Sequence, residues 1–376
     1  MNFALSDEQV FLQEAARGAL GRVKTVEAAR EALEGGEVPD LWPVAREAGW
    51  PGLLVSEEHG GAGLGAIEAM LVAAECGRVL AATPLLGHVP ATGLLDAAAN
   101  ADGDLMRRLA EGEERAAFVP ARPPDDLEAN WTVAPRRGAR RGPAPRLQDG
   151  KLTGESHWVP DAPGADHLVV AAVDAGGAPR AALVDAGGAG VSVEPVMRYD
   201  ATRSLAHVRF EGAGVTELDL PEGTLAATWY LAQCLLAGEA LGIAEECLER
   251  SVTYAKERFT FGRAIGSYQA VKHSLVEILR RMENLRSLVY YAGWARGFSP
   301  EEFPLAASSA RVAADQALDH ATRELISVHG GIGATWEHDA PLYFRRSQLS
   351  RRLLGGSGDS AERVAAELMA GARAAA

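Results

Sequence analysis

Positive charge is in short supply: 37 lysines and arginines stand against 51 acidic residues over 376 positions, a formal net charge of −14. Such a field repels polyanions and excludes general affinity for nucleic acid or an anionic membrane surface. An anionic ligand must therefore be met by a local group of arginines. Cysteine is nearly absent: Cys76, Cys234 and Cys247 form no CxxC pair and sit in apolar, helix-like surroundings. That excludes a disulfide framework and reads as buried free thiols in a reducing, cytoplasmic setting. No apolar run reaches the roughly 18–20 residues that a membrane span needs. The opening MNFALSDEQVFLQEAARGAL has acidic residues early and no apolar segment, so it does not read as a signal peptide. There is no internal repeat, and no metal-ligand spacing near the histidines of the C-terminal third.

What is present is ordinary globular composition, 47% apolar and 23% charged, over a length sufficient for two or three packed layers. Residues 1–115 read as helices. Ser6 and Gln9 make a capping box for a helix with Val10, Leu12, Ala16 and Leu20 on one side. Pro51 to Gly63 form a Gly-rich loop, for which a plain turn is favoured over phosphate binding. Amphipathic helix continues at 64–81 and 101–112. From 116 to 222 prolines break any helix, and alternation at 168–173, 181–184, 191–193 and 205–210 predicts a small β-barrel or sandwich. Arg136, Arg137, Arg140, Arg141 and Arg146 make a basic loop there, either solvated or a contact for phosphates or an acidic partner. Residues 223–376 return to helix. Apolar positions from Val271 to Ala292 recur at i, i+3/i+4, and 225–256 is apolar over much of its circumference. Helices near 305–328, 342–354 and 360–372 complete a four-helix bundle with a tail. The class is α+β, in the order helix–β–helix.

Between the two longest helical patterns lies Arg258-Phe-Thr-Phe261-Gly262-Arg-Ala-Ile-Gly266-Ser-Tyr-Gln269. A guanidinium, an aromatic plate and an amide near one loop suit a ligand with a phosphate and a flat base. Further on, Ser327-Val-His329-Gly330-Gly331-Ile-Gly333 places glycines where backbone N–H groups could approach a pyrophosphate. His329 by itself reads as a structural histidine.

These two stretches resemble the Arg-x-x-Phe-Gly…Gln and Gln-x-His-Gly-Gly-x-Gly signatures of the acyl-CoA dehydrogenase flavoprotein family, and the loop at 51–63 is similar to its Pro-Glu-Glu-Tyr-Gly-Gly loop. The resemblance implies FAD as cofactor and an acyl-CoA thioester as substrate. It assigns Arg258, Phe261, Gln269, His329, Gly330 and Gly331 to the half-site that holds the adenosine pyrophosphate of FAD for a neighbouring subunit. The flavin-receiving half is eroded. Trp158 is kept, but Pro160 stands where a hydroxyl residue is usual, and the stretch from Val119 to Asp126 lacks the expected hydroxyls. Family chemistry removes an α-proton with a glutamate while a hydride passes to flavin. The two positions for that glutamate are Leu354 and Ala232 here, and neither takes a proton; Glu239 is the surviving rival. The resemblance therefore points to a base-lacking subunit of a heterotetramer, as in steroid-CoA dehydrogenases of actinobacteria, with an electron-transferring flavoprotein as acceptor. A self-sufficient homotetrameric dehydrogenase and a non-redox scaffold are the alternatives.

Overall fold

A computed structural model describes residues 4–121, 131–133, 141–196 and 199–374. The N-terminal helices are α1 (Asp7–Leu20), α2 (Thr25–Ala32), α3 (Trp42–Glu47), α4 (Ala66–Arg78), α5 (Leu85–Asp96) and α6 (Gly103–Ala110). The capping box at the head of α1 forms as the sequence predicts, Ser6 Oγ accepting from Gln9 N and Gln9 Oε1 from Ser6 N. Helix α5 is a surprise to the pattern, because Pro90 lies inside it. It is buried on nearly every side, and packing overrides propensity there.

The middle layer is one eight-stranded sheet plus a two-stranded ribbon. Its strands are β1 (Ala116–Val119), β2 (Trp131–Val133), β3 (Arg141–Pro143), β4 (Arg146–Gln148), β5 (Lys151–Pro160), β6 (His167–Val173), β7 (Pro179–Asp185), β8 (Val191–Pro195), β9 (Leu205–Gly214) and β10 (Thr216–Glu217). The order is β10-β7-β6-β4-β5-β9-β8, with β1 parallel to β6 and β2 paired with β3. The four strands expected from alternation are β6 to β9. Most of the 136–146 arginine loop lies outside the described residues; Arg146 is exposed on β4.

The C-terminal layer holds α7 (Thr224–Glu257), a hairpin of β11 (Phe259–Thr260) and β12 (Arg263–Ala264), α8 (Gln269–Phe298), α9 (Phe303–His329), α10 (Ala340–Ser350) and α11 (Gly356–Ala374). Helix α7 is buried without interruption from Thr228 to Ala244 and forms the axis of the molecule. It packs against α4 so closely that glycine is obligatory: a Cβ on Gly242 would lie 1.8 Å from the Ala74 carbonyl oxygen, and one on Gly238 2.8 Å from that of Met70. All three cysteines are buried and form no disulfide, Cys76 on α4, Cys234 and Cys247 on α7. Among the described residues no helix is long and apolar enough to cross a membrane.

The α4–α7 seam yields a direct test. Gly242→Ala is expected to cost about 1–3 kcal/mol, since the obstructing atom is backbone and cannot rotate away. Gly18→Ala, on α1 with nothing within 4 Å of its Cβ position, should hold or raise stability through helix propensity. Urea denaturation of both variants reads the difference. Equal midpoints would refute the close-packing argument.

Candidate cofactor site

The Gly-rich loop of the N-terminal layer is consumed by its own fold. Gly61, Ala62, Gly63 and Leu64 donate their N–H groups to the carbonyls of Ser56, Gly52, Val55 and Leu53. A Cβ on Gly61 would sit 2.2 Å from the Val55 carbonyl oxygen. The plain-turn reading holds there. Ser56, which replaces the usual proline, instead bonds Asp96 through its hydroxyl at 2.9 Å, and His59 Nδ1 reaches the same carboxylate at 2.7 Å.

The other end of the molecule is built differently. Helix α7 ends at Glu257, and Arg258 leaves it in extended conformation, its N–H donating to Tyr254 O at 2.8 Å. The hairpin turns on Phe261 and Gly262, both at positive φ (49° and 77°), and Phe261 stands 94% exposed at the tip. An aromatic in the left-handed region, held out into solvent, is a costly arrangement that burial does not offset within this chain. Gln269 opens α8 and is exposed. Among the described residues Arg258 forms no ion pair, although the chain as a whole is acidic.

The end of α9 meets the end of α7, just before this hairpin, through one ring stack. Tyr254 of α7 stacks on His329 of α9 with ring centroids 4.2 Å apart, and His338 is tilted against His329 at 4.4 Å. His329 is buried, its Nδ1 bonded to Leu325 O at 2.8 Å, so its side chain is structural. Gly330 and Gly331 follow it with nothing within 4 Å of their Cβ positions, while Gly333 is tightly packed against Ile326 O. The structure thus places Arg258 and the diglycine turn at one end of the bundle, on an open surface with Phe259, Ile332 and Trp336 also exposed.

The β layer contributes the remaining candidate. Trp158 sits in a register irregularity between Ser156 and Val159 with φ 60°, packed on the main core and edge-on to His207 at 4.7 Å. Of the stretch from Val119 to Asp126, residues 122–126 lie outside the described residues.

The two base positions converge. Gln233, next to Ala232, donates through Nε2 to Leu354 O at 3.2 Å, and Arg311 donates to Ser350 O and Leu353 O at 2.8 and 3.3 Å. Ala232 and Leu354 are both buried and offer no proton acceptor. Glu239 needs correction as a rival base. Arg203 Nη2 donates to both its oxygens at 2.6 and 2.7 Å, and Arg346 Nη1 adds a third bond at 2.9 Å. Burial alone would raise its pKa, but the two guanidiniums win and hold it at about 2. A carboxylate so stabilised is a poor base at neutral pH.

This network was not legible as a unit. Arg346 also holds Asp200 Oδ2 at 2.6 Å and Thr202 O at 2.8 Å, joining α10 to the β layer and to α7. Close by, buried Asp161 accepts from Gly87 N at 2.8 Å, and burial pushes its carboxyl up to about 6 despite nearby Arg203. Beside Arg203 and Glu239 the space between α4, α5 and α7 narrows to a cavity of about 20 Å³, room for a single water. No group of three or more His, Cys, Asp or Glu is placed to hold a metal among the described residues.

Helical layers thus flank a sheet, with an exposed Arg/Phe hairpin and a diglycine turn at one end of the C-terminal helices. The chain belongs to the acyl-CoA dehydrogenase family, FAD oxidoreductases acting on CH–CH bonds: residues 6–102 match its N-terminal domain and 227–369 its C-terminal domain. It is 33% identical over 365 residues to the acyl-CoA dehydrogenase IpdE2 of Mycobacterium tuberculosis, covering 96% of this chain and 98% of that one. Among solved structures it is similar to a variant of the Tcur3481-Tcur3483 steroid ACAD, at 27% identity and TM-score 0.85 over 98% of this chain and 99% of that one. The ChsE4-ChsE5 complex from Mycobacterium tuberculosis matches at 25% identity and TM-score 0.83, with the same coverage.

Proposed function

We propose that this chain is the base-lacking subunit of a heteromeric acyl-CoA dehydrogenase, and that its hairpin and diglycine turn complete the FAD site of a catalytic homologue. One contrast carries the reading. The surface that would hold a neighbour's cofactor is open and poised, whereas the chain's own base positions are Ala232 and Leu354 and its nearest rival Glu239 is locked between two arginines.

Arg258 is the group that would pair with the pyrophosphate of FAD, matching it in charge and fork geometry. Phe261 would cover an apolar face of the cofactor, Gln269 would offer an amide, and Gly330 and Gly331 would admit backbone close to the phosphates. Trp158 would face a flavin on the β layer. Bound FAD supplies the hydride acceptor for α,β-dehydrogenation of an acyl-CoA. Removal of the α-proton then falls to a carboxylate of the partner, since the two base positions here are Ala232 and Leu354 and Glu239 is held by Arg203 and Arg346. The steroid ACAD and the ChsE4-ChsE5 complex support a steroid-type thioester and a complex of two subunit types; the electron-transferring flavoprotein as acceptor and the cytoplasmic setting are what the family resemblance implies.

The test is flavin absorbance with native mass, for the chain alone and co-expressed with a catalytic homologue. The expected outcome is a colourless or unstable chain alone and a yellow tetramer with fewer flavins than subunits when paired. One flavin per chain in an active homotetramer would establish the self-sufficient alternative, and a paired complex without flavin the scaffold alternative.

A further inference from the structure

The diglycine turn and Arg258 belong to separate helices, and something must fix one against the other. Two devices meet there. The first is the ring cluster in which Tyr254 stacks on His329 and His338 tilts against His329, which ties the end of α7 to the residues before and after the turn. The second is Asp339, which closes the same loop by ion-pairing Arg250 of α7 at 2.7 Å and Arg30 of α2. Resting on the shared-site reading above, we propose that Tyr254, His329, His338 and Asp339 are positioning residues, a clamp that holds the diglycine turn against Arg258 and releases FAD when His338 takes up a proton.

The hydrogen bonds determine where protons sit. His329 Nδ1 faces the Leu325 carbonyl, so it carries a hydrogen. His338 Nδ1 accepts from Ala340 N at 3.1 Å, so it carries none. A proton can reach that nitrogen only by breaking this bond. The charged imidazole would also face Arg30 and Arg250, with the His329 ring tilted against it; Asp339 opposes them but is already shared between the two arginines. Partial burial and these cations hold His338 below its ordinary value of 6.5. The closed clamp therefore binds the proton less well than an opened loop with an ordinary histidine. Falling pH through 6.5 favours opening, and alkaline pH leaves the clamp shut.

The experiment follows free-flavin fluorescence after diluting the FAD-loaded complex of this chain with its catalytic homologue, from pH 8 to 5. Release from the wild-type complex should accelerate below the ordinary histidine value, by up to about tenfold per pH unit, the slope of one linked proton. His338→Gln, which keeps a polar amide at this position without titrating, should lose that slope. Tyr254→Leu should release several-fold faster at all pH values. Native mass confirms that each variant still assembles. An unchanged slope in His338→Gln overturns the clamp. Should Arg258→Ala release FAD faster while His338→Gln keeps the slope, the clamp alone fails. Should Arg258→Ala change nothing, the shared site fails and the clamp with it.

Discussion

Replacing Arg346 by methionine is expected to destabilise the chain by about 3–5 kcal/mol, the range for removing one partner of a buried ion pair. Arg346 is 1% exposed and spends its guanidinium on Asp200, Glu239 and the carbonyl and hydroxyl of Thr202. Methionine fills similar length without charge. Glu239 then retains Arg203, but among the described residues Asp200 is left with the Thr202 N–H and hydroxyl. Adding Asp200→Asn removes the uncompensated charge and should restore a substantial part of the loss. Urea midpoints of the single and double variants measure this, and equal destabilisation in both would show that Arg346 acts by volume alone. Acid supplies a second reading. Glu239 is held at about 2 against an ordinary 4.5, so its contribution is complete above 4.5 and fades as pH falls towards 2. The variant should lose part of that acid dependence.

Arg258→Ala is expected to weaken FAD binding by the paired complex about 10–100-fold, the loss of one or two charge-assisted hydrogen bonds. Assembly and thermal stability should be untouched, because the residue is exposed and forms no ion pair among the described residues. Arg258→Lys should recover only part of the affinity, since an ammonium cannot reproduce the planar fork. Flavin retained after gel filtration, titrated against added FAD, separates these outcomes. Retention at the wild-type level in Arg258→Ala would remove the main support for a shared cofactor.

The sequence shows most of the helical frame for a simple reason: helical burial has a period, and periods are local. On α8 the positions Ile278, Met282, Leu285, Val289 and Ala292 are buried as their spacing predicts. Leu279, drawn into the same stripe, is 43% exposed. Glycine and arginine at the hairpin were equally readable, since the whole motif occupies a dozen consecutive residues. The hairpin's two short strands and β1 were not, because two to four residues carry no period. The Asp200–Arg203–Glu239–Arg346 network escaped for the opposite reason. Its members are up to 146 residues apart, and each alone looks like a surface charge. Asp339 and His338 were hidden the same way, close to the diglycine turn in sequence but meaningful only beside α2 and α7.

The three buried cysteines turn the chain into its own reporter. Burial pushes the thiols of Cys76 and Cys234 up to about 12 and that of Cys247 higher still, so none offers a thiolate at neutral pH. An alkylating reagent can therefore mark them only during excursions in which the packing around α4 and α7 opens. Two of the three lie on the helix whose last residue precedes Arg258. A subunit that docks at that end and quiets the helix would write its presence as slower alkylation deep inside this chain, far from any surface the two proteins share.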